Sequence, residues 1–137
     1  MAVSVCSRLM VNVIKLYGVS FFLYPFLKYN SKRAITTFIL GILYHSTENR
    51  KIFLLDLLVN CCMVTYTVAR YKRSRIFAFC GTLSWVINQT IYYYIDYDLT
   101  LYSFVHVVGS QWILLKGLIN SIHEKREIMR IKKNKSH

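Results

Sequence analysis

Apolar runs follow one another along this chain with only short polar breaks between them, over about residues 9–27, 34–47, 52–69, 76–95 and 99–118. That succession leaves few folds open. With 55% hydrophobic residues and a formal net charge of +12 over 137 residues, the chain is too apolar, and its charge too unevenly spread, for an ordinary soluble domain. In hydrocarbon every backbone N–H and C=O must find its partner within the protein, which leaves helices and closed barrels. Segments such as Phe53-Leu54-Leu55 and Leu57-Leu58-Val59 lack the alternation of a barrel strand, so the reading is helical. About 20 residues cover the hydrocarbon core at a rise of about 1.5 Å each. The run at 34–47 is short of that, so it thins the bilayer locally, borrows residues 29–33 as a snorkelling extension, or is re-entrant. The expectation is an all-α, multi-pass transmembrane helix bundle of about five spans over residues 1–118, followed by a basic tail, 119–137.

Charge gives that topology a direction. Lys28, Lys32 and Arg33, the loop Arg70-Tyr71-Lys72-Arg73-Ser74-Arg75 and the tail from Lys116 onward all fall on one face. The other receives Arg8, Arg50 and Lys51, together with the base-free turn Asp96-Tyr97-Asp98. By the positive-inside rule the basic face is cytosolic, which puts the N-terminus in the lumen or exterior and the C-terminus in the cytosol. The basic runs then need only orientation and anionic membrane lipids as their explanation, and no nucleic acid partner is expected. Ile119, Ile122, Met129 and Ile131 recur among the tail's bases, as on an amphipathic helix lying on the cytosolic leaflet. Lys133-Asn134-Lys135-Ser136-His137 matches the Lys-x-Lys-x-x pattern of a dilysine retrieval signal read by coat proteins, and predicts residence in the endoplasmic reticulum. Lys15 interrupts the first apolar run, which argues against a cleavable signal peptide.

Several motifs reduce to ordinary membrane packing. Cys6, Cys61, Cys62 and Cys80 lack metal-ligand spacing and read as small hydrophobes. Asn88-Gln89-Thr90 has the form of a glycosylation sequon but lies within a span, where Asn88 and Gln89 are expected to hydrogen-bond between helices. Lys15 reads as a snorkelling residue, Pro25 as a helix terminator, and the Tyr92-Tyr93-Tyr94 cluster as an interfacial belt.

What remains is a layer of ionisable groups inside the spans, where each needs a partner, a watery cavity or a function. His45 stands near the luminal end of the second span, Asp56 about one turn into the third and His106 about two turns into the fifth, all in the luminal half. Ser46, Thr47, Asn60, Tyr102 and Ser103 enlarge the set, and a polar cavity open to the lumen follows. Two imidazoles and a carboxylate suit Zn²⁺ bound directly, or through a water that the carboxylate deprotonates. The plainer reading is that they pair and stabilise the bundle.

The stretch Gly41-Ile42-Leu43-Tyr44-His45-Ser46-Thr47, followed by Asp56 within Leu54-Leu55-Asp56-Leu57-Leu58, and the later His106-Val107-Val108-Gly109-Ser110 resemble the alkaline ceramidase group and the wider CREST superfamily of membrane hydrolases. The resemblance implies His45 and His106 as zinc ligands, with Asp56 positioning water. Asp56 and the neighbouring Ser46 are the candidate catalytic residues. Tyr102 stands where that group carries a further histidine, and the resemblance covers about half the chain. Two functions follow. One is a reduced, zinc-dependent hydrolase of lipid amides or esters; the other is a non-catalytic membrane protein acting by homo-oligomerisation, membrane shaping or partner binding.

Overall fold

A computed structural model describes residues 5–47, 49–95 and 98–135, with the side chains of residues 5–10 outside that description. It is helical throughout: α1 (Val5–Ser20), α2 (Leu23–Tyr29), α3 (Lys32–Thr47), α4 (Arg50–Arg70), α5 (Arg75–Tyr94), α6 (Leu99–Val105), a π-helical turn (His106–Gln111) and α7 (Trp112–Asn134). No strand occurs among the described residues. Glu48, Asp96, Tyr97, the Cys6 and Arg8 side chains and the last two residues of the dilysine pattern lie outside the description.

Local chemistry sets the boundaries. The run expected as a single first span is broken into α1 and α2, because Pro25 has no N–H to give the carbonyl one turn back at Phe21. Tighter bonds take over there, from Phe22 N–H to the Val19 carbonyl and from Tyr24 N–H to that of Phe21. Asn30 then adopts φ 52°, the left-handed conformation that ends α2. Asn49 caps α4 by accepting from Lys51 N–H, and Asp98 caps α6 by accepting from Thr100 and Leu101 N–H. At the other end, Glu124 on α7 accepts the Lys72 and Arg73 N–H groups, at 2.9 and 3.2 Å, and so ties the α4–α5 loop to α7.

α5 packs on α7, the π-helical turn and α4, while α1 packs on α3, α6 and the π-helical turn. The apolar core of Phe22, Ala34, Leu118 and Ile122 joins the α1–α2 break to α3 and α7. Beside it Arg33 bonds Ser121 at 2.9 Å and Thr67 at 3.5 Å, linking α3, α7 and α4 through one guanidinium. α7 runs unbroken through residues 118 and 119 and buries Ser121 and Ile122, so its first half docks in the bundle and the tail is the continuation of the same helix.

One helix among the described residues, α4, is long and apolar enough by length and composition to cross a membrane. α1 and α3, at 16 residues each, reach only about 24 Å at the helical rise, against about 30 Å of hydrocarbon. Nonetheless large apolar side chains face outward around the bundle, Leu54, Leu55 and Leu58 on α4 and Ile76, Phe79, Leu83 and Ile87 on α5 among them.

Small residues set the closeness of α5 and α7. A Cβ at the buried Gly81 would lie 2.7 Å from Leu114 Cγ and 3.2 Å from its backbone N, and the backbone cannot give way as a flexible side chain does. Gly81→Ala is therefore expected to cost about 1–3 kcal/mol, read as an earlier midpoint when the protein in mild detergent is titrated with sodium dodecyl sulfate. Leu114→Ala in the same chain should recover part of that loss. An unchanged Gly81→Ala midpoint would contradict the close approach.

Candidate functional site

Helical periodicity turns one stripe of each helix toward a common space. On α3 the stripe is Thr37, Gly41, Tyr44 and His45; on α4 it includes Phe53, Asp56, Asn60, Val64 and Thr65. Thr82, Trp85 and Gln89 face it from α5, Lys15 and Val19 from α1, and Tyr102, His106, Ser110, Gln111 and Leu114 from the last helical segment. Together they enclose a cavity of about 280 Å³. His45, Asp56 and His106, drawn from three different parts of the chain, thus line one space.

His45 is buried, and its ring centre lies 6.2 Å from that of His106 at an angle of 77°. His106 in turn stacks against Tyr102 at 6.2 Å and 24°. Tyr102 is held at both ends by α5: Gln89 Nε2 donates to its hydroxyl at 2.6 Å, and Asn88 Nδ2 donates to its carbonyl at 3.1 Å. The Lys15 ammonium sits 5.1 Å from the centre of the same ring, a cation–π contact that turns it inward rather than out toward an interface. Asp56 and Asn60 stand one turn apart on the α4 stripe.

Other expected members fall elsewhere. Ser46 and Thr47 are exposed and outside the cavity, since they follow His45 onto the next faces of α3, and Thr47 bonds the Leu43 carbonyl. Ser103 is buried but spends its hydroxyl on the Leu99 carbonyl. His123 lies far down α7 against Tyr29, 3.2 Å from its hydroxyl. The residues that replace them, Gln89, Ser110 and Gln111, carry only weak sequence signals. Gln89 is the i+4 neighbour of Trp85 on a helical face, whereas Ser110 and Gln111 share a side only because the π-helical turn brings them round together.

The donor set bears directly on zinc. A catalytic zinc site takes three protein ligands and an open position. His45 and His106 offer two, and among the described residues no three of His, Cys, Asp and Glu gather closely enough to hold a metal ion. Among the described residues the set holds two of the three ligands that such a centre needs.

The cavity is not sealed. Cys61 and Thr65 both line it and are exposed, so it reaches the surface along the middle of α4. A shallower depression on the outside of α5, lined by Val86, Thr90, Tyr93 and Tyr94, shares Trp85 and Gln89 with it.

No protein-family model matches this chain, and neither a curated protein nor a solved structure matches it significantly. The ceramidase-like resemblance therefore rests on the residues quoted for it.

The grip of α5 on Tyr102 is open to measurement. Tyr102→Phe keeps the ring but leaves the Gln89 amide without its acceptor, which is expected to cost about 1–3 kcal/mol and lower the melting temperature in detergent. Removing both groups together, as Tyr102→Phe with Gln89→Leu, should cost less than the sum of the single changes. Strict additivity would show that the two do not act as a pair.

Proposed function

We propose that this chain is a multi-pass membrane protein of about five crossings whose interhelical cavity takes up an amphipathic lipid. The observation that carries the reading is the cavity itself. Lys15, His45, Asp56, Tyr102 and His106 bring ionisable groups to it, and Val19, Phe22, Leu57, Val64 and Leu114 bring apolar surface. Between Phe53 and Thr65 the α4 lining extends about 18 Å along the helix axis, a shape suited to a polar head with a chain attached. The opening at Cys61 and Thr65 lies beside the outward apolar residues of α4, where lipid is the natural neighbour. In this reading α3, α5, the paired α1–α2 and the α6, π-helical turn and early α7 segment cross together with α4, and the short α3 is met by snorkelling and local bilayer thinning. The N-terminus and the α3–α4 turn face the lumen or exterior; the basic α2–α3 and α4–α5 loops and the end of α7 face the cytosol.

Two measurements test this. Cysteines introduced at positions 49 and 98 should react with a membrane-impermeant maleimide from the luminal side, and those at 73 and 133 from the cytosolic side. Labelling of 49 and 73 from the same side would refute the topology. For binding, a Trp112→Phe chain leaves Trp85 in the cavity wall as the remaining indole. Its fluorescence in detergent should be quenched saturably by a brominated single-chain lipid, and Cys61→Phe, at the opening, should weaken that quenching at least tenfold. Linear, unsaturable quenching in both proteins would remove the lipid reading.

A second reading is favoured by the 6.2 Å separation of the His45 and His106 rings across that cavity. It is the reduced, zinc-dependent hydrolase of lipid amides or esters that the resemblance implies, with Asp56 in the same cavity as its acid–base group. Metal analysis decides it. Purified protein should carry close to one zinc per chain, lost in His45→Ala or His106→Ala, and Tyr102→His, which supplies a third imidazole, should make that zinc slower to yield to a chelator. Zinc-free wild-type protein would end this reading while leaving lipid uptake untouched.

A further inference from the structure

The π-helical turn leaves polar atoms without protein partners on one side of the cavity. Ser110 is 1% exposed, and its Oγ has no hydrogen-bond partner; neither does Nδ1 of His106, one turn earlier, nor Oε1 of Gln111. All three residues line the cavity. A hydroxyl in a helix can bond the carbonyl four residues back, and elsewhere in this chain Thr82 and Ser103 do so with Ala78 and Leu99. Ser110 does not, because i→i+5 bonding widens the turn and takes the His106 carbonyl out of that position. The same widening brings residues four and five places after His106 round to its side of the helix, so that an imidazole, a hydroxyl and an amide oxygen all come from this one turn. Gly18 on α1 makes room for them, since a Cβ there would collide with Gln111 Oε1.

Buried polar groups left unpaired are costly, and three of them on residues that line one cavity point to something else that completes the bonding. Gln111 Oε1 accepts only, Ser110 Oγ both donates and accepts, and a neutral imidazole has one nitrogen of each kind. The complement is a group that can donate and accept from a single atom without bringing a charge into a buried place. We infer that the π-helical turn at His106, Ser110 and Gln111 is a recognition subsite for a free hydroxyl group on the lipid held in the cavity. The inference rests on the lipid-uptake reading and adds to it the chemistry of the head.

Oleyl alcohol and oleyl methyl ether separate the two ideas, because they share a chain and an acceptor oxygen and differ in the O–H. Both compete for the Trp85 quenching site in the Trp112→Phe protein. Oleyl alcohol should bind about tenfold more tightly, the worth of one good hydrogen bond. Ser110→Ala should bring the ratio close to one, and Ser110→Thr, which keeps the hydroxyl, should retain it. Equal binding of the two by the otherwise wild-type site, as expected if water alone serves the turn, would overturn the subsite and leave lipid uptake standing. A preference that survives Ser110→Ala would also overturn it, by placing recognition elsewhere. Binding of neither ligand would take the lipid reading down with it. The comparison on unsubstituted Ser110 stands even where the alanine variant does not fold.

Discussion

Adjacent amides on α5 hold both ends of Tyr102, Asn88 at its carbonyl and Gln89 at its hydroxyl, and the geometry of the cavity depends on that grip. The ring so fixed is the surface against which His106 stacks and over which the Lys15 ammonium rests. Each interhelical bond of this kind is worth only about 0.6–2 kcal/mol. Their effect is positional: two donors on consecutive residues fix the height of α6 against α5, and so where the π-helical turn begins. Asp98 sets the same segment from its other end by capping α6.

The membrane placement proposed for this bundle would reverse the usual logic of burial. α4 is the clearest case, with its outward face carrying Leu54, Leu55 and Leu58 while Asp56, Asn60 and Thr65 turn toward the cavity. In water that arrangement would waste apolar surface; in lipid the outward leucines cost nothing and the polar groups must find each other. Arg33 shows the same economy at the other end of the molecule. Its guanidinium reaches Ser121 and Thr67 and lies within 5.6 and 5.7 Å of the Tyr66 and Tyr71 ring centres, so one long cation joins three helices where a smaller side chain would leave Thr67 and Ser121 apart.

Helix existence was legible because runs such as 52–69 and 76–95 are continuous and bounded by Asn, Arg and Ser, and α4 and α5 begin and end within two residues of those limits. Two features were not. The break before Pro25 follows from a missing amide whose effect falls one turn upstream, so the proline itself sits inside α2, short of its end. The π-helical turn has no sequence signature at all: Val107, Val108 and Gly109 suit an α-helix equally well, and the insertion is set by how α1 and α5 pack on either side. The candidate site was legible in outline for the same reason that its membership was not. His45, Asp56 and His106 stand out because ionisable residues within apolar runs are conspicuous, and depth alone placed them in one layer. Which neighbours share their cavity depends on helix rotation, and rotation excluded Ser46 and Thr47 while admitting Gln89, Ser110 and Gln111.

Tyr102 changes what such a layer can do. A histidine in its place would present a third nitrogen donor beside His45 and His106; the phenol instead accepts from Gln89 and offers its ring to Lys15. Its hydroxyl is engaged with α5, and its π-face lowers the cost of keeping an ammonium within an apolar bundle. The residue that leaves the metal donor set incomplete is therefore also the one that organises the polar end of the cavity. With Lys15 and Asp56 as its ionisable members and the π-helical turn supplying neutral groups without protein partners, that end is where the lipid proposed above would place a polar head. In the proposed reading hydrogen bonds alone recognise that head, so lipid uptake does not depend on the metal that a hydrolase would need.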